Sequence, residues 1–253
     1  MRKILIVGIG AGNPDYVTVQ AINALNQADV FFIPDKGAEK ADLRKLRNEI
    51  CERFIKEATY RTVDFKTPRR AEPAGGYRAG VDQWHAELAA LYEGLFMEEL
   101  SEGECGAFLV WGDPAIYDST LRIVEAIKSK GFALEYEVIP GISAVQVLAA
   151  RHRIPLNDIG EPVLITTGRK LAQDFSADVG NVVVMLDGDQ AFRRLAATDL
   201  DIYWGAYLGT EDEILVAGKL SDVTGDIERI RSKARAEKGW IMDTYLLRKP
   251  NKS

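Results

Sequence analysis

The sequence predicts an α/β protein of two domains, and three observations carry that reading. In the first half, apolar runs of strand length are repeatedly stopped by glycine or proline and followed by helical patterns, as at 107–127 and 134–150. Near 157–162 the composition turns polar, and beyond it several apolar runs follow one another with few helical patterns between them. Hydrophobic residues make up 47 % of the 253, enough for sizeable cores and too many for a disordered chain. The domains are placed at 1–156, with a mostly parallel sheet, and at 157–253, with a mixed sheet.

The elements follow in order. Residues 4–7 read as a strand running into Gly8-Ile9-Gly10-Ala11-Gly12-Asn13-Pro14. A dinucleotide fingerprint is excluded there, because Asn13 stands at the third glycine and Pro14 falls where the helix should already run. The helix starts later, capped by Asp15 or Thr18, with Ile22, Leu25 and Ala28 on one face. Residues 30–33 form a strand stopped by Pro34-Asp35. Leu43, Leu46, Ile50 and Phe54 share one helical face, with Arg44, Lys45, Arg47 and Glu49 off it as a solvated face. Residues 60–65 alternate as a strand. Lys66, Arg69, Arg70 and Arg78 sit in a Pro/Gly-rich stretch, which reads as a solvated charge run or as a basic lid for a ligand with several carboxylates. Val81, Trp84, Leu88, Leu91 and Leu95 mark a long amphipathic helix, with His85 near the edge of its apolar face.

The chain is organised around 107–119. An apolar strand ends at Trp111. Gly112 then permits a sharp turn or the close approach of a ligand, and Pro114 pushes Asp113 toward extended geometry. The carboxylate of Asp113 is expected at the strand's carboxyl end, where ligands bind in open α/β sheets. Asp118 or Ser119 caps the next helix, through Leu121, Val124 and Ile127, which Gly131 ends. Residues 134–139 form a strand, and Ser143 caps the helix 144–150. Its N-terminal N–H groups suit a carboxylate. The cations Arg151 to Arg153 lie at its far end, where the helix dipole favours them. In the second half, 163–167, 182–186, 202–208, 214–220 and 240–247 read as strands. A polar loop follows the first of them, and 190–197 and 226–238 read as helices.

A net charge of −6 offers no basic field for nucleic acid. Two lone cysteines, Cys51 and Cys105, and two histidines, His85 and His152, have no zinc-ligand spacing, and the cysteines suit a reducing cytoplasm as core residues. No apolar run approaches a membrane span.

Three motifs stand in order: Val7-Gly8-x-Gly10-x-Gly12-x-Pro14, Gly112-Asp113-Pro114-x-x-Tyr117 and Pro140-Gly141-Ile142-Ser143-Ala144. With Asp187-Gly188 and Tyr207-Leu208-Gly209-Thr210 further on, they resemble the tetrapyrrole methylase family over nearly the whole chain. The resemblance implies two α/β domains with a cofactor cleft between them, the class III methyltransferase arrangement. It implies S-adenosylmethionine as methyl donor, a tetrapyrrole substrate, no metal, and a homodimer. By position, the cofactor contacts are Ala11, Trp111, Gly112, Asp113, Ile116, Ser143 and Ala144, then Leu186, Asp187 and Leu208. Ala11 stands where proline is usual in the family, Trp111 where glycine is, Asp187 where methionine is, and Leu208 replaces a small residue.

The lengthened 36–104 segment, the run from Phe108 to Thr120 and the ending Trp240-Ile-Met-Asp resemble the branch that methylates carbon 1 of precorrin-5 and releases acetate, on the route to cobalamin. Action at a different ring carbon, or a module that binds a nucleotide or tetrapyrrole without catalysis, are the other readings. Methyl transfer from a sulfonium needs positioning more than a covalent nucleophile. That suits a sequence in which no Ser/His/Asp or Cys/His constellation is visible. Acetyl removal needs a base. Asp35 is the first candidate, Tyr117 the group to position the macrocycle or polarise a carbonyl, and His85 the third. Lys66, Arg69, Arg70 and Arg78 are the expected partners of substrate carboxylates.

Overall fold

The computed structural model describes residues 1–35, 41–57, 59–69, 76–173 and 180–250. Its contacts divide the chain into two units, Met1–Ser143 and Ala144–Ser253.

The first unit runs β1 (Arg2–Gly8), α1 (Val19–Leu25), β2 (Val30–Asp35), α2 (Ala41–Phe54), β3 (Arg61–Lys66), α3 (Gly76–Glu99), β4 (Cys105–Val110), α4 (Thr120–Ser129), β5 (Leu134–Ile139). The sheet order is β3-β2-β4-β1-β5 and every pairing is parallel. A parallel sheet needs cover on both faces, and the period-2 alternation of its strands supplies two cores. Ile4, Ile6, Phe32, Phe108 and Val110 pack under α3 and α4. Leu5, Val7, Phe31, Ile33 and Leu109 pack under α1 and α2. Phe108 is held between rings, 5.1 Å from Phe32 and 4.6 Å from Tyr92 by centroid. The late start of the first helix is as expected. Asn13 caps a short 3-10 turn at Pro14–Tyr16, and Thr18 Oγ1 accepts from the Ala21 N–H at 3.1 Å to open α1. Cys51 and Cys105 are buried free thiols, pushed by burial up to about 12 and about 11.

The second unit runs α5 (Ala144–His152), β6 (Val163–Thr167), α6 (Gly168–Gln173), β7 (Asn181–Met185), β8 (Asp201–Ala206), β9 (Ile214–Lys219), α7 (Leu220–Lys238), β10 (Asp243–Arg248). The order is β6-β7-β10-β8-β9, with β6 and β7 parallel and the other pairs antiparallel, the expected mixed sheet. Val184, Ile202, Trp204, Tyr245 and Leu247 form its core with Phe192 and with Leu220, Ile227 and Ala234 of α7.

Five details differ from the expectations of the sequence. The division falls at Ser143, earlier than the polar turn at 157, because α5 packs on β8 and β10. The loop after β6 contains the short helix α6, and the helix expected over 190–197 is a 3-10 helix at Ala191–Leu195 entered through Gln190 at φ +57°. The charged helix begins at Leu220, whose N–H donates to the Leu200 carbonyl at 2.8 Å. Arg47 is not on a solvated face but 5 % exposed.

His152 ends α5 with Nε2 3.0 Å from the Trp204 carbonyl. That oxygen only accepts, so Nε2 carries the hydrogen. Burial holds the imidazole below its ordinary pKa of 6.5. The unfolded chain therefore takes up a proton that the fold resists, and stability falls as pH drops through the ordinary histidine range. Urea denaturation between about pH 7 and about pH 5 is expected to show this loss, and His152→Gln to flatten it. An unchanged slope in the variant would assign the loss to other groups.

Candidate active site

The carboxyl ends of β4, β1 and β5 lie side by side, and ligands of parallel α/β sheets bind at that edge. Four glycines, Gly8, Gly10, Gly112 and Gly141, bring the three exits into contact. The Ile9 N–H donates to the Val110 carbonyl at 2.9 Å, and Gly10 and Gly112 exchange two backbone bonds of 3.3 and 2.9 Å. A Cβ on Gly8 would lie 2.6 Å from the Gly141 nitrogen, and one on Gly141 would lie 2.1 Å from the Gly112 oxygen. Gly112 turns at φ +72°, with only the Ser143 Cα, at 3.6 Å, near its missing Cβ.

Asp113 braces this node. Its Oδ1 accepts from the Ala115 N–H at 2.8 Å and its Oδ2 from the Gly141 N–H at 2.9 Å. The carboxylate expected to meet a ligand thus ties the turn after β4 to the exit of β5. On the same turn Trp111 and Ile116 are half-buried. Ala11 and Ser143, at 1 % and 2 % exposed, sit in the walls of the node.

The start of α4 is unusual. Asp118 Oδ1 accepts from the Thr120 N–H at 2.7 Å, and Ser119, at the cap position, makes no capping bond with its side chain. Its Oγ instead lies 3.0 Å from His85 Nε2. Tyr117, just before it, stands at φ +53° with its ring half exposed, and burial raises its phenol above the ordinary value. His85 comes from α3. On the same helix the Trp84 indole donates to the Pro68 carbonyl at 2.9 Å, so the exposed Lys66 and Arg69 ride on a segment tied beside His85. Lys66 also pairs in register with Asp35, which places both at the same sheet edge. Arg78 is exposed near the start of α3, and Arg70 lies outside the described residues.

A buried cation lies below this edge. Pairing of β2 with β4 stops at Phe32 and Phe108. Arg47 supplies the missing donor, giving Nε to the Leu109 carbonyl at 3.0 Å and a terminal nitrogen to the Leu43 carbonyl at 2.8 Å. Desolvation lowers its pKa to about 10, against the opposing pull of Asp118.

The second unit carries its candidates at two strand exits. Leu186 stands at φ +54° and is 63 % exposed, whereas Leu208 is buried, after Tyr207 at φ +49°. Asp187 is 4 % exposed. Its Oδ2 accepts from the Tyr245 hydroxyl at 2.6 Å and the Ala191 N–H at 2.7 Å, and its carbonyl accepts from Arg231 at 2.9 Å. Arg231 in turn donates to Asp243 at 3.0 Å, as does the Trp204 indole at 2.9 Å. The Asp187 side chain therefore braces the second core through Oδ2, while its buried Oδ1 has no hydrogen-bond partner among the described residues.

The first unit thus gathers Asp35, Lys66, the glycine node, Tyr117 and His85 along one edge. Ala144, Leu186, Asp187 and Leu208 belong to the second unit. Reading the sequence alone missed Ser119 as a chemical group, Arg47 as a buried donor and the tether from Trp84 to Pro68. The signal for Ser119 was present, since Asp118 beside it offers an equally good cap and frees the hydroxyl. Among the described residues no cluster of three His, Cys, Asp or Glu side chains is placed to hold a metal, and no helix is long and apolar enough to cross a membrane.

Comparison with known proteins adds to this geometry. The profile of the Tetrapyrrole (Corrin/Porphyrin) Methylases matches residues 3–224. A precorrin-6A synthase [deacetylating] of Sinorhizobium sp is 56 % identical over 250 residues, covering 98 % of this chain and 96 % of that one. The crystal structure of a cobalamin synthesis related protein (CobF) from Corynebacterium diphtheriae superposes with a TM-score of 0.84 at 40 % identity, covering 98 % of this chain and 99 % of its own. A uroporphyrin-III C-methyltransferase from Thermus thermophilus, complexed with S-adenosyl homocysteine, shares the fold at a TM-score of 0.57 and 16 % identity, over 97 % of this chain and 91 % of its own.

Proposed function

The chain belongs to the tetrapyrrole (corrin/porphyrin) methylase family, and from that premise we propose that it is an S-adenosylmethionine-dependent C-methyltransferase of cobalamin biosynthesis, which methylates carbon 1 of precorrin-5 and releases acetate to give precorrin-6A. The supporting observation is the alignment with the deacetylating relative along nearly the whole chain.

Two demands follow from the reaction. Methyl transfer needs the sulfonium methyl held in line with an electron-rich ring carbon, which is a task of positioning. The close-packed glycine node offers backbone and apolar walls for it. Ala11, Trp111, Gly112, Ile116 and Ser143 are the proposed cofactor contacts there, with Asp113 as their brace. Ala144, Leu186 and Leu208 are the proposed contacts of the second unit, and Asp187 holds the turn that carries Leu186. The sulfonium is its own electrophile, so the proposed reaction calls for no metal. Acetyl removal needs proton transfer and a polarised carbonyl, for which Asp35, Tyr117 and His85 remain the proposed groups. The proposed assembly is a homodimer in the cytoplasm. Edge strand β6, with Leu164 44 % and Ile165 39 % exposed, supports the dimer as an apolar edge that a second copy would cover.

The test is incubation with S-adenosylmethionine and precorrin-5, followed by mass spectrometry of the product and assay of acetate. A product that gains a methyl and loses an acetyl group, with acetate in solution, is the expected result. Methylation with the acetyl group retained would keep the family and remove this substrate assignment. Lys66 and Arg69 are the proposed partners of the substrate carboxylates. Replacing both by Gln is expected to raise KM for the tetrapyrrole by about fivefold to tenfold at low salt, with kcat nearly unchanged. An unchanged KM would make them a solvated segment only.

A further inference from the structure

Ser119 occupies a helix-cap position without capping. Serine at that position ordinarily accepts from the backbone two or three residues on. Here Asp118 takes the first N–H of α4, and the Ser119 hydroxyl is turned onto His85 Nε2 at 3.0 Å. A hydroxyl within hydrogen-bond reach of an imidazole is the arrangement of an activated nucleophile. Both residues are partly exposed and so open to a ligand. Three further features surround them. Ser119 sits at the positive end of the α4 dipole, which favours a developing alkoxide or oxyanion. Tyr117, two residues before it, holds a backbone conformation that aromatic residues rarely adopt. The segment bearing Lys66 and Arg69 is tied by Pro68 to Trp84, the neighbour of His85.

Resting on the deacetylating reading, we propose that Ser119 is the nucleophile that removes the acetyl group and that His85 is its base. The Ser119 oxygen adds to the acetyl carbonyl carbon while its proton passes to His85 Nε2. The tetrahedral adduct then collapses. The bond between the carbonyl carbon and ring carbon 1 breaks, its electron pair stays on the ring carbon, and the acetyl group remains as an ester on Ser119. That electron pair attacks the sulfonium methyl, which leaves S-adenosylhomocysteine. His85, having released its proton, takes another from water as the hydroxide attacks the ester, and acetate departs with Ser119 restored. One water and one S-adenosylmethionine are consumed, and acetate, S-adenosylhomocysteine and two protons are formed. No oxidant or reductant is needed.

The test follows acetate from the wild-type chain and from Ser119→Ala, His85→Gln and Asp35→Asn, each with S-adenosylmethionine and precorrin-5. Ser119→Ala is expected to lower acetate release by about 100-fold or more. Its thermal midpoint and its affinity for S-adenosylmethionine, measured by calorimetry, are expected to stay at wild-type values. Hydroxylamine added to the wild-type reaction is expected to divert acetyl groups into acetohydroxamate. Acid quenching is expected to leave an acetylated peptide containing Ser119. Acetate release by Ser119→Ala within about threefold of wild type would overturn the proposal. So would loss of release in Asp35→Asn with Ser119→Ala still active, which would assign the base to Asp35 acting on water. If the serine variant fails to fold, the wild-type trap decides alone: acetate formed with no acetohydroxamate refutes an acyl-enzyme. Methylation by the wild-type chain without any acetate would instead refute the deacetylating reading.

Discussion

Gly141→Ala is expected to abolish S-adenosylmethionine binding and to destabilise the first unit by about 3–5 kcal/mol. The added methyl would stand 2.1 Å from the Gly112 oxygen and 2.8 Å from the Gly8 Cα. Both neighbours are backbone, at the exits of β4 and β1, and neither can swing aside as a long side chain would. Relief requires prising the strand exits apart, which also breaks the bond from the Gly141 N–H to Asp113. Gly94→Ala is the control. It lies inside α3 with no neighbour among the described residues within 4 Å of its added Cβ, so helix propensity alone should stabilise by about 0.5–1 kcal/mol. Thermal unfolding and calorimetric titration of both variants decide the matter. Wild-type affinity in Gly141→Ala would remove the glycine node from the cofactor site.

Arg231→Met is expected to cost about 3–5 kcal/mol at neutral pH, because it strands the Asp243 carboxylate in the second core. Arg231 and Asp243 are 5 % and 8 % exposed and 3.0 Å apart. Burial raises the Asp243 pKa even with the guanidinium present, and Asp187 and the Tyr245 hydroxyl face the same cluster. Without Arg231 the carboxyl must take a proton to stay inside. A folded-state pKa raised above the unfolded one stabilises below the unfolded value and loses that contribution as pH rises. The deficit of the variant should therefore shrink on acidification, and Arg231→Met with Asp243→Leu should recover much of it. A deficit equal at all pH values, or additive losses in the double variant, would contradict this account. The Arg231 bond to the Asp187 carbonyl ties the same cluster to the Leu186 turn, so the single variant should also weaken S-adenosylmethionine binding.

What could be read in the sequence divides along local and non-local lines. Alternation of Ile4 and Ile6 with Leu5 and Val7, and the stops at Gly112 and Gly141, are local signals, and they mark the strands of the sheet and where these end. The roles of individual polar groups depend on partners far along the chain. Asp113 and Asp187 stand at strand exits, yet Oδ2 of each is held by a group far along the chain, Gly141 for the first and Tyr245 for the second, which no local pattern announces. Arg47 looked solvated because helical periodicity knows nothing of a sheet pairing that stops at Phe108. Ser119 looked like a cap because its partner lies on α3, 34 residues earlier.

The strand order also sets a timetable during synthesis. β1 pairs only with β4 and β5, whose register partners begin at Cys105 and Leu134. At about 5–20 residues per second, Ile4 to Val7 leave the ribosome roughly 5–20 s before any neighbouring strand exists. This interior strand of the first unit thus waits as a sticky, unsatisfied segment until the middle of the chain has emerged. Chaperone occupancy on nascent chains is expected to be highest before β4 appears and to fall once it docks. The wait is inherent in placing the earliest strand of the unit between two strands made much later.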